Sequence, residues 1–293
     1  MFSDLAQQLN TTDIKCKFST NDYPDEIVYN SNTYMPNTTK KKIKTMRGFV
    51  KFYSHLESES ESELIFKLIR PAYKHFAILE AKGNLLLMDY PTDYILPVIH
   101  ASQHGKFFIF ISIAMGQDLC FISDLEKQEK IKPDFENIMQ LFTCMVKALY
   151  YLDGLHLVYS DLKLENIVKD EESYRIIDFD SLKVANEDGK VGTYFGTPGM
   201  KSLQRLRKDI SSISHDIWSL SIVIYEYITK ATSPWNKIPD FTQKVQKRTV
   251  KNIRFATKHW TKSQRRKIIR LFLRMNEYED KKRITIGELM QEI

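Results

Sequence analysis

The spacing of apolar residues changes character once along this chain, and that change limits what it can fold into. Over residues 43–113 the apolar positions follow strand patterns. IKTMRGFVKFYSHL and LIFKLI flank the acidic run ESESESE, and YILPVIHA and KFFIFISIA flank SQHG. β-Branched and aromatic runs of this length, separated by polar turns, predict two hairpins. Between them, residues 72–88 put Tyr73, Phe76, Ile78 and Leu79 at helical spacing, with Gly83 as the weak point. After Gly116 the period becomes helical. Phe135, Ile138, Met139, Phe142, Met145, Val146 and Leu149 recur at i, i+3, i+4 and i+7 within 134–153, a helix that Pro133 and Asp134 would start well. DIWSLSIVIYEYI (216–228) is apolar nearly all round, as a helix buried on every side must be. From Lys262 onward, basic residues alternate with Ile268, Ile269, Leu271, Phe272 and Leu273, and Leu289 lies in a further helical stretch. The expected class is therefore α+β: a small β-rich segment with one main helix at 43–115 and a larger, mainly helical segment at 116–293. Residues 1–42, polar and rich in Asn and Thr, read as a loosely ordered extension with room for one strand.

Composition narrows the function classes. A chain of 293 residues allows roughly two domains at ~150 residues each, and 43% hydrophobic with 27% charged residues excludes wholesale disorder and a membrane bundle. The net charge of +6 is too mild for a dedicated nucleic-acid binder, so no nucleic-acid partner is expected. Cys16, Cys120 and Cys144 lie far apart without a CxxC spacing, which argues against a disulfide scaffold or a structural zinc site. The start, MFSDLAQQLNTTDIK, lacks a signal-peptide pattern, and no apolar run approaches the ~18 residues a membrane span needs. An intracellular protein, cytoplasmic or nuclear and without membrane contact, is expected, with the sequons at Asn10 and Asn37 as chance matches. The run Lys40–Lys41–Lys42–Ile43–Lys44 reads as a solvated strand end rather than an import signal. Glycine is scarce, 10 of 293 residues, about half the usual ~7%.

The residues that carry chemistry cluster in LHLVYSDLKLENIVKDEESYRIIDFDSLKV (155–184). YSDLKLEN and IIDFD, in this order between an amphipathic helix and a buried one, resemble the catalytic core of eukaryotic-type protein kinases. The resemblance implies a bilobed protein-kinase-like fold and a serine/threonine protein kinase that moves the γ-phosphate of ATP to a protein hydroxyl, with Mg2+. It implies that Asp161 orients the hydroxyl, that Lys163 offers its ammonium to the transferred phosphate, and that Asn166 and Asp178 hold metal. It extends to GTPGM (196–200), where Thr197 is expected to bond toward Asp161 and Lys163. It extends further to Asp216 in HDIWSL, expected to hold the catalytic-loop backbone, to SPW (233–235) and to Arg283.

In the β-rich segment the resemblance calls for a strand lysine paired with a helix glutamate on the ATP phosphates. Lys67 with Glu80 fits the spacing; Lys51 with Glu63 is the alternative. Gly48 and Phe49 would belong to the phosphate-covering loop, and Met115, in Ile113–Ala114–Met115–Gly116, to the adenine hinge, with Gln117 and Asp118 near the ribose. Four departures accompany these matches. The loop over Thr45–Phe52 keeps only Gly48, with Arg47 and Val50 at positions where the family often has glycine. Ser160 replaces the arginine before the catalytic aspartate, Asp180 replaces the glycine after Asp178–Phe179, and KSLQ stands where an Ala-Pro-Glu-like triplet is common. The loss of glycines motivates an alternative, a pseudokinase that binds or scaffolds a partner. A small-molecule kinase is a third reading, disfavoured because GTPGM and DIWSL look like peptide-substrate architecture.

Overall fold

The structure is a computed structural model. It describes residues 1–293 except 11–12, 20–22, 57–62, 172, 193–195, 203–204, 207–209 and 237–242. The chain divides into two compact units, Met1–Met115 with Asp178–Asp180, and Gly116–Ile177 with Ser181–Ile293.

The first unit contains α1 (Phe2–Leu9), β1 (Ile14–Lys17), β2 (Glu26–Tyr29), β3 (Asn32–Pro36), β4 (Ile43–Lys44), β5 (Gly48–His55), β6 (Glu63–Ile69), α2 (Lys74–Leu85), β7 (His100–His104) and β8 (Phe107–Ile113). Its antiparallel sheet runs β1-β2-β3-β5-β6-β8-β7, with β4 also pairing with β5. Alternation along the strands gives the sheet two faces. Ile27, Tyr53, Leu64, Phe66, Leu68 and Ile111 form the core on one. Ile69, Phe108 and Phe110 meet α1 and α2 on the other, through Phe2, Ala6, Leu9, Ala77 and Ala81.

Both expected hairpins are present, as β5 with β6 and β7 with β8. The acidic run joining the first pair lies, over 57–62, outside the described residues. β7 starts at His100 rather than Tyr94, because Pro97 has no N–H to give a ladder. Residues 1–42 depart from the expected loose extension, since α1 buries Phe2, Ala6 and Leu9 to 3%, 5% and 3% exposure and β1–β3 extend the sheet. Their apolar signal is sparse because each of these short strands buries a single side chain, Ile14, Ile27 and Tyr34. The helix at 72–88 is there, but its buried residues are Ala77, Glu80, Ala81, Gly83 and Asn84 rather than the large apolar ones. Small side chains let α2 approach its neighbours closely.

The second unit contains β9 (Gln117–Asp118), α3 (Leu119–Gln128), α4 (Phe135–Gly154), β10 (Leu157–Val158), β11 (Ile167–Lys169), β12 (Tyr174–Ile176), β13 (Lys183–Val184), β14 (Lys190–Gly192), β15 (Ile210–Ser212), α5 (Ile213–Thr229), α6 (Gln243–Ala256), α7 (Lys262–Met275) and α8 (Ile286–Met290). Asp134 caps α4 by accepting from Asn137 N at 2.9 Å. α5 is buried continuously from His215 to Tyr225, as its all-round apolar sequence requires. Gly116 opens the unit with φ of +55°, and a Cβ there would stand 1.6 Å from Lys169 O, so no other residue fits. Among the described residues, no helix is long and apolar enough to cross a membrane.

Candidate active site

Strand parity in the first unit separates the two lysine candidates. Lys67 on β6 lies opposite Phe110 of β8, so its side chain is on the face that carries α2. Its Nζ is 2.9 Å from Glu80 Oε2 and 3.2 Å from Asp178 Oδ1. Lys51 lies opposite Phe66, on the other face, and donates to the carbonyls of Asn37 at 2.6 Å and Lys40 at 3.2 Å. Glu63 pairs with Lys40 and accepts from Asn37 Nδ2. Lys51 and Glu63 are thus engaged with the 37–40 segment and not with each other.

Glu80, Asp178 and Asp180 place carboxylate oxygens within 4.8 Å of one another. Such a group of acids holds together because two cations enter it. Lys67 serves Glu80 and Asp178, and Arg47 pairs with Asp180 while its guanidinium lies 3.7 Å from the Phe76 ring centroid. Burial works against the charge on Lys67, but Asp178, Glu80 and Asp180 outweigh it and raise its pKa. Burial likewise opposes ionisation of Asp178, and Lys67, with help from Glu80 and Arg47, overcomes it and holds that carboxyl below the ordinary range. Glu80 is pushed up by burial, against the pull of Lys67. Asp180 is raised by burial and by Asp178, against Arg47. Of the three, Asp178 is the carboxyl that its surroundings shift down.

Local backbone features fix this cluster. Asp178 has φ of +65°, a conformation Asp tolerates better than most residues. A Cβ on Gly83 would lie 1.9 Å from Phe179 O, so the glycine that weakens the helix signal is what lets α2 touch the 178–180 backbone. Asn84, fully buried, donates to Glu80 O and accepts from Val98 N, both at 2.8 Å.

Two residues expected near the nucleotide are also engaged in the sheet. Phe49 is 8% exposed and belongs to the sheet core, 6.1 Å from the Phe66 ring and 6.2 Å from Tyr23. Its alternation in β5 sends it into the apolar face. Gly48 is a strand residue paired with Ile69, and a Cβ there would sit 1.7 Å from Leu68 O, so its glycine is required by sheet packing. The β4–β5 turn, Thr45–Arg47, holds no glycine and closes with Thr45 N donating to Gly48 O. Met115 follows Ala114, whose N–H donates to Glu63 O at 2.8 Å, and is the last residue of the unit's first segment.

In the second unit the loop after β10 organises around Asp161. Its Oδ2 accepts from Lys163 Nζ at 2.6 Å and Asn166 Nδ2 at 3.3 Å, and its Oδ1 accepts from Thr197 N at 3.2 Å and Thr197 Oγ1 at 3.1 Å. Asn166 Nδ2 also donates to Asp161 O at 3.0 Å. With its nitrogen so committed, the amide oxygen is the end that Asn166 offers to a cation. A carboxylate such as that of Asp178 and an amide oxygen such as that of Asn166 are each, taken singly, the kind of hard donor that Mg2+ prefers. Asp118 caps α3 through Phe121 N at 2.9 Å.

Asp216 at the start of α5 accepts from Tyr159 N at 2.9 Å and Ser160 N at 2.8 Å, which holds Ser160 at φ of +73°. Burial raises Asp216 to about 7, against those two N–H bonds. Arg205, 2% exposed, donates to Ser160 O and meets His215 Nε2. A Cβ on Gly196, whose φ is +116°, would lie 2.4 Å from an Arg205 nitrogen. Burial first, then Arg205 and Arg283, lower the His215 pKa, so its ring stays neutral. Arg205 thus spans the catalytic loop and the GTPGM segment, a role sequence reading missed; its only trace there is a basic residue just after KSLQ. Arg283 donates to Glu277 O, Ser214 O and Ser214 Oγ and lies over the Trp218 ring. Ser233 of SPW donates to Gly199 O at 3.1 Å.

The family described as the protein kinase domain matches residues 80–293. Human cGMP-dependent protein kinase 2 is 36% identical over 87 residues, 29% of this chain and 11% of that protein. A Drosophila melanogaster relative, cGMP-dependent protein kinase, isozyme 2 forms cD5/T2, is 30% identical over 118 residues, 39% of this chain and 13% of its own length. Human putative 3-phosphoinositide-dependent protein kinase 2 is 30% identical over 128 residues, covering 42% of this chain and 31% of that protein. The aligned stretch thus spans less than a third of each of these relatives. The family match begins at Glu80, so Lys67 rests on strand parity and its ion pairs alone. The family match covers more than half of the sequence, and this chain belongs to the protein kinase family.

Proposed function

We propose that the chain is a Mg2+- and ATP-dependent serine/threonine protein kinase. The observation that carries this reading is the Asp161 carboxylate, one oxygen bonded to Lys163 and the other to Thr197. Phosphoryl transfer demands little covalent chemistry from the protein; it demands groups held where the hydroxyl and the developing phosphate charge will be. Asp161 orients the acceptor hydroxyl and takes its proton on Oδ. Lys163 shields the incoming phosphate charge from that carboxylate. Lys67, kept cationic by Glu80 and Asp178, binds the α- and β-phosphates of ATP, and the backbone near Met115 receives the adenine. Bound Mg2+, held by Asn166 and Asp178, would neutralise charge on the phosphate oxygens. Protein is the acceptor class, with the GTPGM segment and SPW as its docking side.

Serine/threonine preference is tested with labelled ATP and paired peptides that differ only in Ser, Thr or Tyr at the acceptor. The reading expects phosphoserine and phosphothreonine and at least tenfold less phosphotyrosine. Phosphate on tyrosine alone, or on a small metabolite, contradicts it. One observation favours a second reading, a pseudokinase: the glycine-free turn Thr45–Arg47, with Arg47 ion-paired to Asp180. ATP binding without any turnover supports that alternative.

A further inference from the structure

Residues 241–276 hold 12 Lys and Arg and neither Asp nor Glu, so this strip carries +12 in a chain of net +6 and the remainder is net −6. Arg254 of α6 and five cations of α7 border a groove of about 650 Å³, with Ile269 and Leu273 as its apolar lining. Lys262, Arg266, Arg270 and Arg274 recur every fourth residue and form one stripe along α7. Like charges at that spacing repel and weaken a helix. Lys262, Arg265 and Arg266 also crowd the first turns, where the helix dipole favours anions. An arrangement that costs the helix stability is relieved by carboxylates.

One end of the stripe already has that relief. Glu292 lies 2.5 Å from Arg270 and 2.8 Å from Arg274, and Glu288 lies 3.4 Å from Arg274. At the other end, no carboxylate among the described residues is within ion-pair distance of Arg254, Lys262, Arg265 or Arg266. The half-buried Ile269 and Leu273 offer a seat for an apolar side chain, which a sugar-phosphate backbone does not have. Phe255, 74% exposed beside Arg254, adds a second apolar contact.

We propose that the α6–α7 groove is a docking site for an acidic peptide segment of a partner protein, carboxylates on the arginine stripe and an apolar residue against Ile269 and Leu273. This goes beyond the catalytic reading and stands or falls separately from it. The test uses the full chain and fluorescence anisotropy with a dye-labelled 12-residue peptide of Asp and Glu with Leu at every fourth position. A single-stranded oligothymidine of equal charge is the competing probe. The R265E/R266E double variant is expected to weaken the peptide at least tenfold. K41E/K44E, the same charge change at exposed lysines of the first unit, is expected to weaken it less than twofold. Leu273→Ser is expected to weaken the peptide and leave the oligonucleotide unchanged. Circular dichroism checks that each variant is folded. Peptide affinity that survives R265E/R266E, or falls equally in K41E/K44E, overturns the proposal, as does tighter binding of the oligonucleotide than of the peptide.

Discussion

A methyl group on Gly83 would stand 1.9 Å from Phe179 O. Alanine there gains up to ~1 kcal/mol of helix propensity, yet it must push α2 off the 178–180 backbone. Glu80 lies three residues earlier on the same buried face and moves with the helix. Gly83→Ala is therefore expected to destabilise by about 1–3 kcal/mol in urea denaturation and to loosen ATP binding through the Lys67–Glu80 pair. Gly287→Ala, where a Cβ meets nothing within 4 Å, is the control and should be neutral or stabilising by ~0.5–1 kcal/mol. Equal stability of the two variants would refute the close packing. Two departures from the family pattern compensate each other. Arg47 and Asp180 each replace an expected glycine, and the two side chains pair with each other. A one-residue reading sees two losses, whereas the folded unit turns them into an ion pair.

At the scale of elements, alternation along β6 decides which lysine can reach α2. That parity is written in ELIFKLI, but it becomes decisive only once Phe110 and Phe66 are known to stand opposite Lys67 and Lys51. α1 shows the limit of the same kind of reading. Phe2, Ala6 and Leu9 repeat at helical spacing, and eight residues are too few for periodicity to outweigh the polar surroundings. Its stability comes from tertiary contact, with the Phe2 ring 4.8 Å from Phe108 and 5.8 Å from Phe110. Asn10 ties the helix end to the sheet by accepting from Ala101 N at 2.9 Å. Phe2→Ala is expected to cost about 3 kcal/mol or more of the first unit's stability, read as a lower urea midpoint. A loose extension would predict no change.

For the whole molecule, the order of sheet and helix and the identity of the family were legible because they rest on many residues at once. Hydrophobic period, YSDLKLEN, IIDFD, GTPGM and HDIWSL point the same way, and the protein kinase match over 80–293 agrees. The reading was weakest where one residue type serves two purposes. Gly48 and Phe49, expected in the phosphate-covering loop, also serve the sheet, one by close approach to Leu68 O and the other in the core. Arg205 left no motif, since its role depends on a loop return that brings it to Ser160 O and Gly196.

On the proposed reading, Asp161 is the group that makes this fold a phosphotransferase. Production of ADP with matching phosphoprotein, measured in single turnover for wild type and Asp161→Asn at saturating Mg-ATP, tests it directly. A general-base role predicts measurable transfer by the wild type and a loss of about 10²–10⁴-fold in the variant, with ATP binding retained. Transfer that survives Asp161→Asn unchanged, or its absence in wild type that binds ATP, would contradict it.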